Sequence, residues 1–122
     1  MRRALLDANF LLVPAKFKVD IFAELERLGY KPATLSCVVH EIETLSHGKG
    51  RVAAEARVAL EIIRKKSTEV IEAAGPVDDA LLRTATERGC AIATNDIKLI
   101  ARAKQAGIAV LRMRQKKYVV EA

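Results

Sequence analysis

Apolar positions recur along this chain with the periods of both strands and helices. Residues 2–6 (RRALL) predict a short strand that ends in a polar turn, and the apolar residues 10–13 follow in a loop. From Val19 to Leu28 the apolar positions have helical spacing, and Gly29 ends the pattern just past the predicted helix. The first unit is therefore a strand, a loop and a helix.

The alternation continues through the middle of the chain. A strand is predicted over residues 32–36, and Ser36 caps the helix that follows and breaks at residues 47–50. Residues 51–66 place apolar side chains on one side and charged ones on the other, which predicts an amphipathic helix. Residues 68–72 return to β character.

Gly75 and Pro76 mark a break, after which Asp78 and Asp79 are predicted to cap a helix that ends at Gly89. A short apolar segment over residues 90–94 then has the character of a buried parallel strand.

The last unit begins at Asp96, which opens a helix that stops at Gly107, and residues 108–111 form the final predicted strand. Strands that alternate with helices in this way predict βαβ crossovers. We expect one domain over residues 1–122: an α/β/α sandwich of three layers around a mostly parallel sheet of about five strands.

The composition excludes several classes of protein. Hydrophobic residues make up 51% of the chain and Trp is absent, so the core must be aliphatic. No apolar run approaches the roughly 20 residues that span a bilayer, and Asp7 interrupts the start before a signal-peptide core develops. We expect no membrane association, a cytoplasmic location, and buried thiols at Cys37 and Cys90.

The net charge of +6 and the isoelectric point near 9.6 favour a polyanionic partner. Positive charge is concentrated in the last quarter of the chain. The residues are Lys98, Arg102, Lys104, Arg112, Arg114, Lys116 and Lys117. A cationic surface close in sequence to Asp96 would suit a metal-dependent enzyme that acts on phosphodiesters.

Four acidic residues fall where a predicted strand ends or a predicted helix begins. They are Asp7, Glu41, Asp79 and Asp96. Such points converge at the carboxyl edge of a parallel sheet. Gathered carboxylates repel one another and resist desolvation unless a cation or shared protons neutralise them, so the pattern predicts a divalent-metal site.

Two of these assignments have competitors. Glu43 is a second acid on the helix of Glu41, but it points elsewhere on the helical wheel. Asp78 is adjacent to Asp79, and either could be the functional acid or simply cap the helix.

The first and the last of these acids in the sequence, Asp7 and Asp96, have polar neighbours. Asn9 follows Asp7 by two residues and could orient it through a hydrogen bond, while Thr94 and Asn95 bring a hydroxyl and an amide to the same edge as Asp96. Capping remains the structural alternative for each polar residue taken singly.

Four segments together resemble the signature segments of PIN-domain ribonucleases. They are residues 5–12 (LLDANFLL), 36–42 (SCVVHEI), 77–82 (VDDALL) and 93–99 (ATNDIKL). The resemblance covers essentially the whole chain, and it is greatest to the small single-domain archaeal members. These include VapC-type toxins and relatives of the PIN endonucleases that process ribosomal RNA.

The resemblance implies a function and a site. The equivalents of Asp7, Glu41, Asp79 and Asp96 line the family's metal pocket, and those of Asn9 and Thr94 orient carboxylates or the attacking water. Asp78 could share or take the role of Asp79, and Asn95 is a further supporting residue. The implied reaction is hydrolysis of RNA phosphodiesters with Mg²⁺ or Mn²⁺, hard cations that prefer carboxylate oxygens.

The basic residues are the candidates for RNA contact. Lys98 and Arg102 share a helix face beyond Asp96, whereas strand alternation would direct only some of the terminal cations toward RNA. The terminal group is Arg112, Arg114, Lys116 and Lys117. The family implies an antitoxin or a ribosomal precursor particle as partner, and a homodimer. The alternative is an RNA-binding or ribosome-assembly module with this fold and little or no nuclease activity.

Overall fold

A central sheet of six strands, in the order β3-β2-β1-β4-β5-β6, organises the computed structural model, which describes all residues 1–122. The strands are β1 (Arg2–Leu6), β2 (Tyr30–Leu35), β3 (Glu69–Ile71), β4 (Ala91–Ala93), β5 (Val110–Arg114) and β6 (Tyr118–Glu121). The first five run parallel to their neighbours, and β6 pairs antiparallel with β5. The predicted α/β class and mostly parallel sheet are therefore confirmed.

Helices cover both faces of this sheet. They are α1 (Ala8–Leu11), α2 (Val13–Phe17), α3 (Ile21–Arg27), α4 (Ser36–Ser46), α5 (Arg51–Lys65), α6 (Val77–Arg88) and α7 (Ile97–Gln105). Right-handed crossovers place α1–α5 on one face of the sheet and α6 and α7 on the other, where α6 contacts β4 and α7 contacts β5. No helix combines the length and the apolar character that a membrane crossing requires.

The core is mostly aliphatic, as predicted, and Phe10, Phe22 and Tyr30 are its buried aromatic residues. The strand β4 and residues Ala4 to Leu6 of β1 are completely buried at the centre of the sheet. Phe10 is the largest of the fully buried side chains. Because both central strands are rigidly packed, the residues that follow them are held in fixed positions.

The sixth strand is absent from the sequence prediction. Gln115 and Lys116 both adopt left-handed backbone angles, with φ of 55° and 56°, in the turn between β5 and β6. Two consecutive left-handed residues match the twist of a tight hairpin but normally occur as Asn-Gly or Asp-Gly. The hairpin therefore has the expected geometry without the usual sequence signal.

The predicted loop after β1 is also wrong, since two short helices, α1 and α2, occupy most of it. Asp7 caps α1, and its Oδ1 accepts a hydrogen bond from the Phe10 backbone N–H at 2.8 Å. The apolar residues of α1 give no clear helical pattern in the sequence, and they are the residues that α1 buries against the core.

Two predicted caps differ in the structure. Ser36 is the first residue of α4 and not its cap, and its hydroxyl accepts a hydrogen bond from the backbone N–H of Ala73 and donates one to the Ala73 carbonyl. The helix α6 begins at Val77, so Asp78 and Asp79 lie in its first turn without capping it. The predicted cap at Asp96 is confirmed, because its Oδ1 accepts from Lys98 N and Leu99 N.

A side chain of β2 supports the end of β1. The Thr34 hydroxyl, fully buried, donates a 2.8 Å hydrogen bond to the carbonyl of Leu6, the residue before Asp7. Thr34→Val should reduce the free energy of unfolding by about 1–3 kcal/mol, because a buried carbonyl loses its partner. Urea denaturation measures this loss.

Thr44→Val is the matched control, since the Thr44 hydroxyl makes an exposed bond to the carbonyl of His40. Its effect should stay within about 0.5 kcal/mol. Equal losses for the two variants would contradict a structural role for the Thr34 bond.

Candidate active site

The site is built where β1 and β4 end side by side. The Asp7 N–H donates to the carbonyl of Ala93 at 3.2 Å, which continues the strand pairing one residue past β1. Thr94, the next residue after β4, is completely buried, and its hydroxyl donates to Oδ2 of Asp7. The sheet thus fixes both the carboxylate and its donor.

The same hydroxyl also connects Asp7 to Asp96. Thr94 Oγ1 accepts a 3.0 Å hydrogen bond from the backbone N–H of Asp96. Because that lone pair is occupied, the Thr94 proton is directed toward Asp7. Thr94 therefore orients the Asp7 carboxylate while the backbone of Asp96 orients Thr94.

Four carboxylates from four separate segments line one cavity of about 230 Å³. Its lining residues are Asp7, Ala8, Asn9, Glu41, Leu45, Val77, Asp78 and Asp96. Neither lysine nor arginine is among them, so no side-chain cation of the lining compensates the four acids.

The structure separates the competing acids. Glu41 lines the cavity, whereas Glu43 does not. Asp78 also lines it, whereas the exposed Asp79 forms a 2.8 Å ion pair with Nη2 of Arg102 on α7. The structure therefore brings Asp78 to the other acids in place of Asp79.

Asp78 and Asp79 point in different directions because both lie in the first turn of α6. The sequence predicts Asp78 and Asp79 as caps, but the helix already begins at Val77, with Pro76 as its N-cap. Consecutive helical residues are rotated by about 100° around the axis, so two adjacent acids in a helix cannot face the same way. Asp78 faces the end of β1, and Asp79 faces α7.

The supporting amides have different positions. Asn9 lines the cavity beside Asp7. The carboxylate of Asp7 takes its side-chain hydrogen bonds from Phe10 and Thr94, not from Asn9. Asn95 lies outside the lining, and its Oδ1 accepts from Met113 N at 2.8 Å, so it joins the loop after β4 to β5.

Burial controls the protonation of Asp7, which is only 7% exposed. Loss of hydration raises the pKa of Asp7 to about 6. The hydrogen bonds from Thr94 and Phe10 act in the opposite direction, and the charges of Asp78 and Asp96 raise the pKa further. A carboxylate held in this way carries negative charge that its surroundings do not fully offset.

The donor set fits a hard divalent cation. All four charged groups offer carboxylate oxygens, the ligands that Mg²⁺ and Mn²⁺ prefer, and none is a soft thiolate. No three Asp, Glu, His or Cys side chains form a ready ligand cluster, so the acids line the cavity walls without closing on one point.

The basic residues occupy several places around this edge. Arg102 reaches Asp79, and Lys98 is exposed on the first turn of α7. Arg112 and Arg114 are exposed on β5, two residues apart and hence on the same face. Lys116 and Lys117 lie in the hairpin turn, where the Lys116 ammonium stands 5.4 Å from the centre of the Phe17 ring on α2.

A mostly parallel sheet between two helical layers, with an acidic cavity at its carboxyl edge, is the arrangement expected of a PIN-type α/β domain. A family model described as a PIN-like domain matches residues 4–116. The chain belongs to this family, and the resemblance noted in the sequence is confirmed.

Two curated relatives extend over nearly the whole chain. Ribonuclease VapC9 of Archaeoglobus fulgidus is 33% identical, covering 98% of this chain and 88% of the relative. Ribonuclease VapC4 of Methanocaldococcus jannaschii is 31% identical, covering 92% of this chain and 90% of the relative. The predicted enzyme class, a PIN-type ribonuclease, is confirmed.

Solved structures support the fold. The PIN domain endonuclease Utp24 superposes with a TM-score of 0.81 at 24% identity, covering 98% of this chain and 90% of that one. PAE2754 from Pyrobaculum aerophilum gives a TM-score of 0.58 at 20% identity, covering 83% of this chain and 79% of that one.

The raised pKa of Asp7 makes stability depend on pH in the metal-free protein. Between the ordinary pKa near 3.8 and the folded value of about 6, the folded state binds more protons, so ionisation of Asp7 destabilises the fold as pH rises. Asp7→Asn should match the wild type near pH 4 and exceed its free energy of unfolding by about 3 kcal/mol at pH 7.

Urea denaturation in EDTA across this pH range measures the difference. Taking the difference between the two proteins removes the contributions of other titrating groups, such as Glu24 and Glu69, whose ion pairs lower their pKa values. A difference that stays constant from pH 4 to pH 7 would contradict the assignment.

Proposed function

We propose that this chain is a divalent-metal-dependent endoribonuclease whose metal is held by Asp7, Glu41, Asp78 and Asp96. The observation that carries the proposal is the cavity that these four acids line together without a compensating lysine or arginine. Two relatives that span the chain are ribonucleases by name, which supports RNA as the substrate.

The ligand assignment favours Asp78 over Asp79 on two grounds. Asp78 lines the cavity, and its charge contributes to the raised pKa of Asp7. The carboxylate of Asp79 is already paired with Arg102. Asp79 is therefore a positioning residue that holds the guanidinium beside the site.

The protein's own residues prepare this cavity for chemistry. Thr94 and the Phe10 N–H hold both oxygens of Asp7 and favour its charged form, which binds cations. When bound, Mg²⁺ or Mn²⁺ would activate water for attack on the phosphodiester and offset the negative charge that develops on phosphate oxygens. None of the chain's side chains is required as a nucleophile.

The exposed cations are proposed to bind the RNA backbone. Lys98 and Arg102 lie on α7, whose N-cap Asp96 lines the cavity. Arg112 and Arg114 extend the positive surface along β5, and Lys116 and Lys117 continue it into the hairpin turn. Contacts of this kind position the phosphodiester without selecting a sequence.

Two biological roles are compatible with this site. A VapC-type toxin would have a cognate antitoxin as partner, whereas a ribosomal-RNA nuclease would act on a precursor particle. A small antitoxin gene beside this one would favour the toxin. We also propose a cytoplasmic location and a homodimer. Sedimentation equilibrium measures the oligomeric state directly.

Adjacent acids offer a matched test of the ligand set. Asp78→Asn and Asp7→Asn should each reduce Mn²⁺-dependent cleavage of single-stranded RNA more than about 100-fold, since even outer-shell partners of metal ligands cost 10–100-fold. Asp79→Asn should reduce it less than about tenfold. Cleavage that survives both Asp7→Asn and Asp96→Asn would sink the assignment, and tight binding without cleavage would favour the RNA-binding module.

The hydroxyl of Thr94 has a separable role. Thr94→Val keeps the side-chain shape but removes the donor to Asp7, so Mn²⁺ affinity and cleavage should both fall about 10–100-fold. Isothermal titration with Mn²⁺ measures the first quantity and a discontinuous cleavage assay the second. Thr94→Ser restores the hydroxyl and should recover most of both. If Thr94→Ser were as impaired as Thr94→Val, the hydrogen bond would not be the cause.

A further inference from the structure

A second groove begins immediately beside the acidic cavity. Its volume is about 340 Å³, and its lining residues are Ile97, Ile100, Lys104, Arg112 and Ala122. Ile97 directly follows Asp96, whose carboxylate lines the acidic cavity, so their Cα atoms are about 3.8 Å apart. The two depressions are therefore neighbours along the start of α7.

The position of Ile97 is unusual for an apolar side chain. It is 83% exposed, more than any other large hydrophobic residue of the chain. As the first residue of α7 it makes no contribution to the core, and a β-branched residue has no special preference for that position. Neither packing nor helix formation explains its presence.

The geometry of α7 and β5 defines the groove. Ile97, Ile100 and Lys104 are three and four residues apart and hence lie on one face of α7. Arg102 belongs to a different face, toward Asp79 on α6. On β5, strand alternation directs Arg112 toward α7, while Leu111 points into the core.

The lining combines two apolar side chains, Ile97 and Ile100, with two cations, Lys104 and Arg112, and with Ala122, the last residue of the sequence. Aromatic side chains are the usual contacts for the face of an unpaired base, but apolar side chains also serve, and lysine or arginine binds the phosphate. The volume lies within the range of small-ligand sites. Bases in an A-form duplex are stacked and paired, so only a single strand could present one here.

We propose that this groove binds the nucleotide next to the cleaved phosphodiester in single-stranded RNA. Ile97 contacts the face of the base, and Arg112 and Lys104 contact its phosphate. This inference rests on the proposed nuclease function and adds a subsite to it.

The test compares two probes with the full-length chain in EDTA, so that binding is measured without cleavage. One probe is fluorescein-labelled 12-nucleotide oligouridylate, and the other is an abasic ribose-phosphate strand of the same length. Ile97→Ala should weaken binding of oligouridylate about fivefold, because the apolar contact between the Ile97 side chain and the base is lost, and it should leave the abasic strand unaffected. Because Ile97 is exposed, its truncation should not unfold the protein.

Val70→Ala is the matched control, since Val70 is a β-branched side chain, 45% exposed, on the edge strand β3. It should change the binding of neither probe. Arg112→Gln should weaken both probes and reduce the slope of log K against log salt concentration by about 0.7, as expected for one lost phosphate contact to a single strand.

Two results would overturn the inference. One is an Ile97→Ala protein that binds oligouridylate with the affinity of the wild type, or whose affinities for both probes fall by the same factor. The other is a wild-type chain that binds oligouridylate and the abasic strand with equal affinity, which would show that the groove does not contact a base. Neither result depends on metal, because both binding tests are made in EDTA. The nuclease assignment is tested separately, and it fails if cleavage survives both Asp7→Asn and Asp96→Asn.

Discussion

The hydrogen bond from Thr94 to Asp7 is the contact on which the site depends. It joins the ends of β1 and β4, two buried strands at the centre of the sheet, and it is itself buried. Parallel pairing brings residues 87 positions apart into contact, and no local segment could hold them in this way. The remaining acids are arranged around this pair by helices that begin at the same edge.

This arrangement stabilises a charge distribution that would otherwise be unfavourable. Burial and neighbouring carboxylates favour the neutral form of Asp7, while two hydrogen bonds favour the ionised form. The balance leaves an acid that gives up its proton near neutral pH and gains most from a divalent cation. The surrounding basic surface, which avoids the cavity itself, supplies attraction for a polyanion without competing for the carboxylates.

The sequence predicts those features that depend on local pattern. The α/β class, the central strands and the cap at Asp96 follow from periodicity and capping preferences, and the acids converge because parallel strands end together. The strand β6 was missed because its left-handed turn at Gln115 and Lys116 carries neither glycine nor asparagine. The short helices after β1 were missed because their apolar residues resemble a continuation of the strand.

Other features depend on tertiary structure and cannot be read from spacing. Asp78 and Asp79 both lie in the first turn of α6, where adjacent residues are about 100° apart, so the orientation of the packed helix decides which of them lines the cavity. The partner of Asp79 is Arg102, on a helix that follows two elements later. Likewise, Ser36 bonds Ala73 across the fold, although its position in sequence is typical of a cap.

Anomalous diffraction from crystals soaked in Mn²⁺ locates the bound ion independently of activity. We expect a peak in the cavity between Asp7 and Asp78, within coordination distance of at least one carboxylate oxygen of each. A peak bound by Asp79, or no peak in this cavity at Mn²⁺ concentrations that support cleavage, would contradict the proposed metal site.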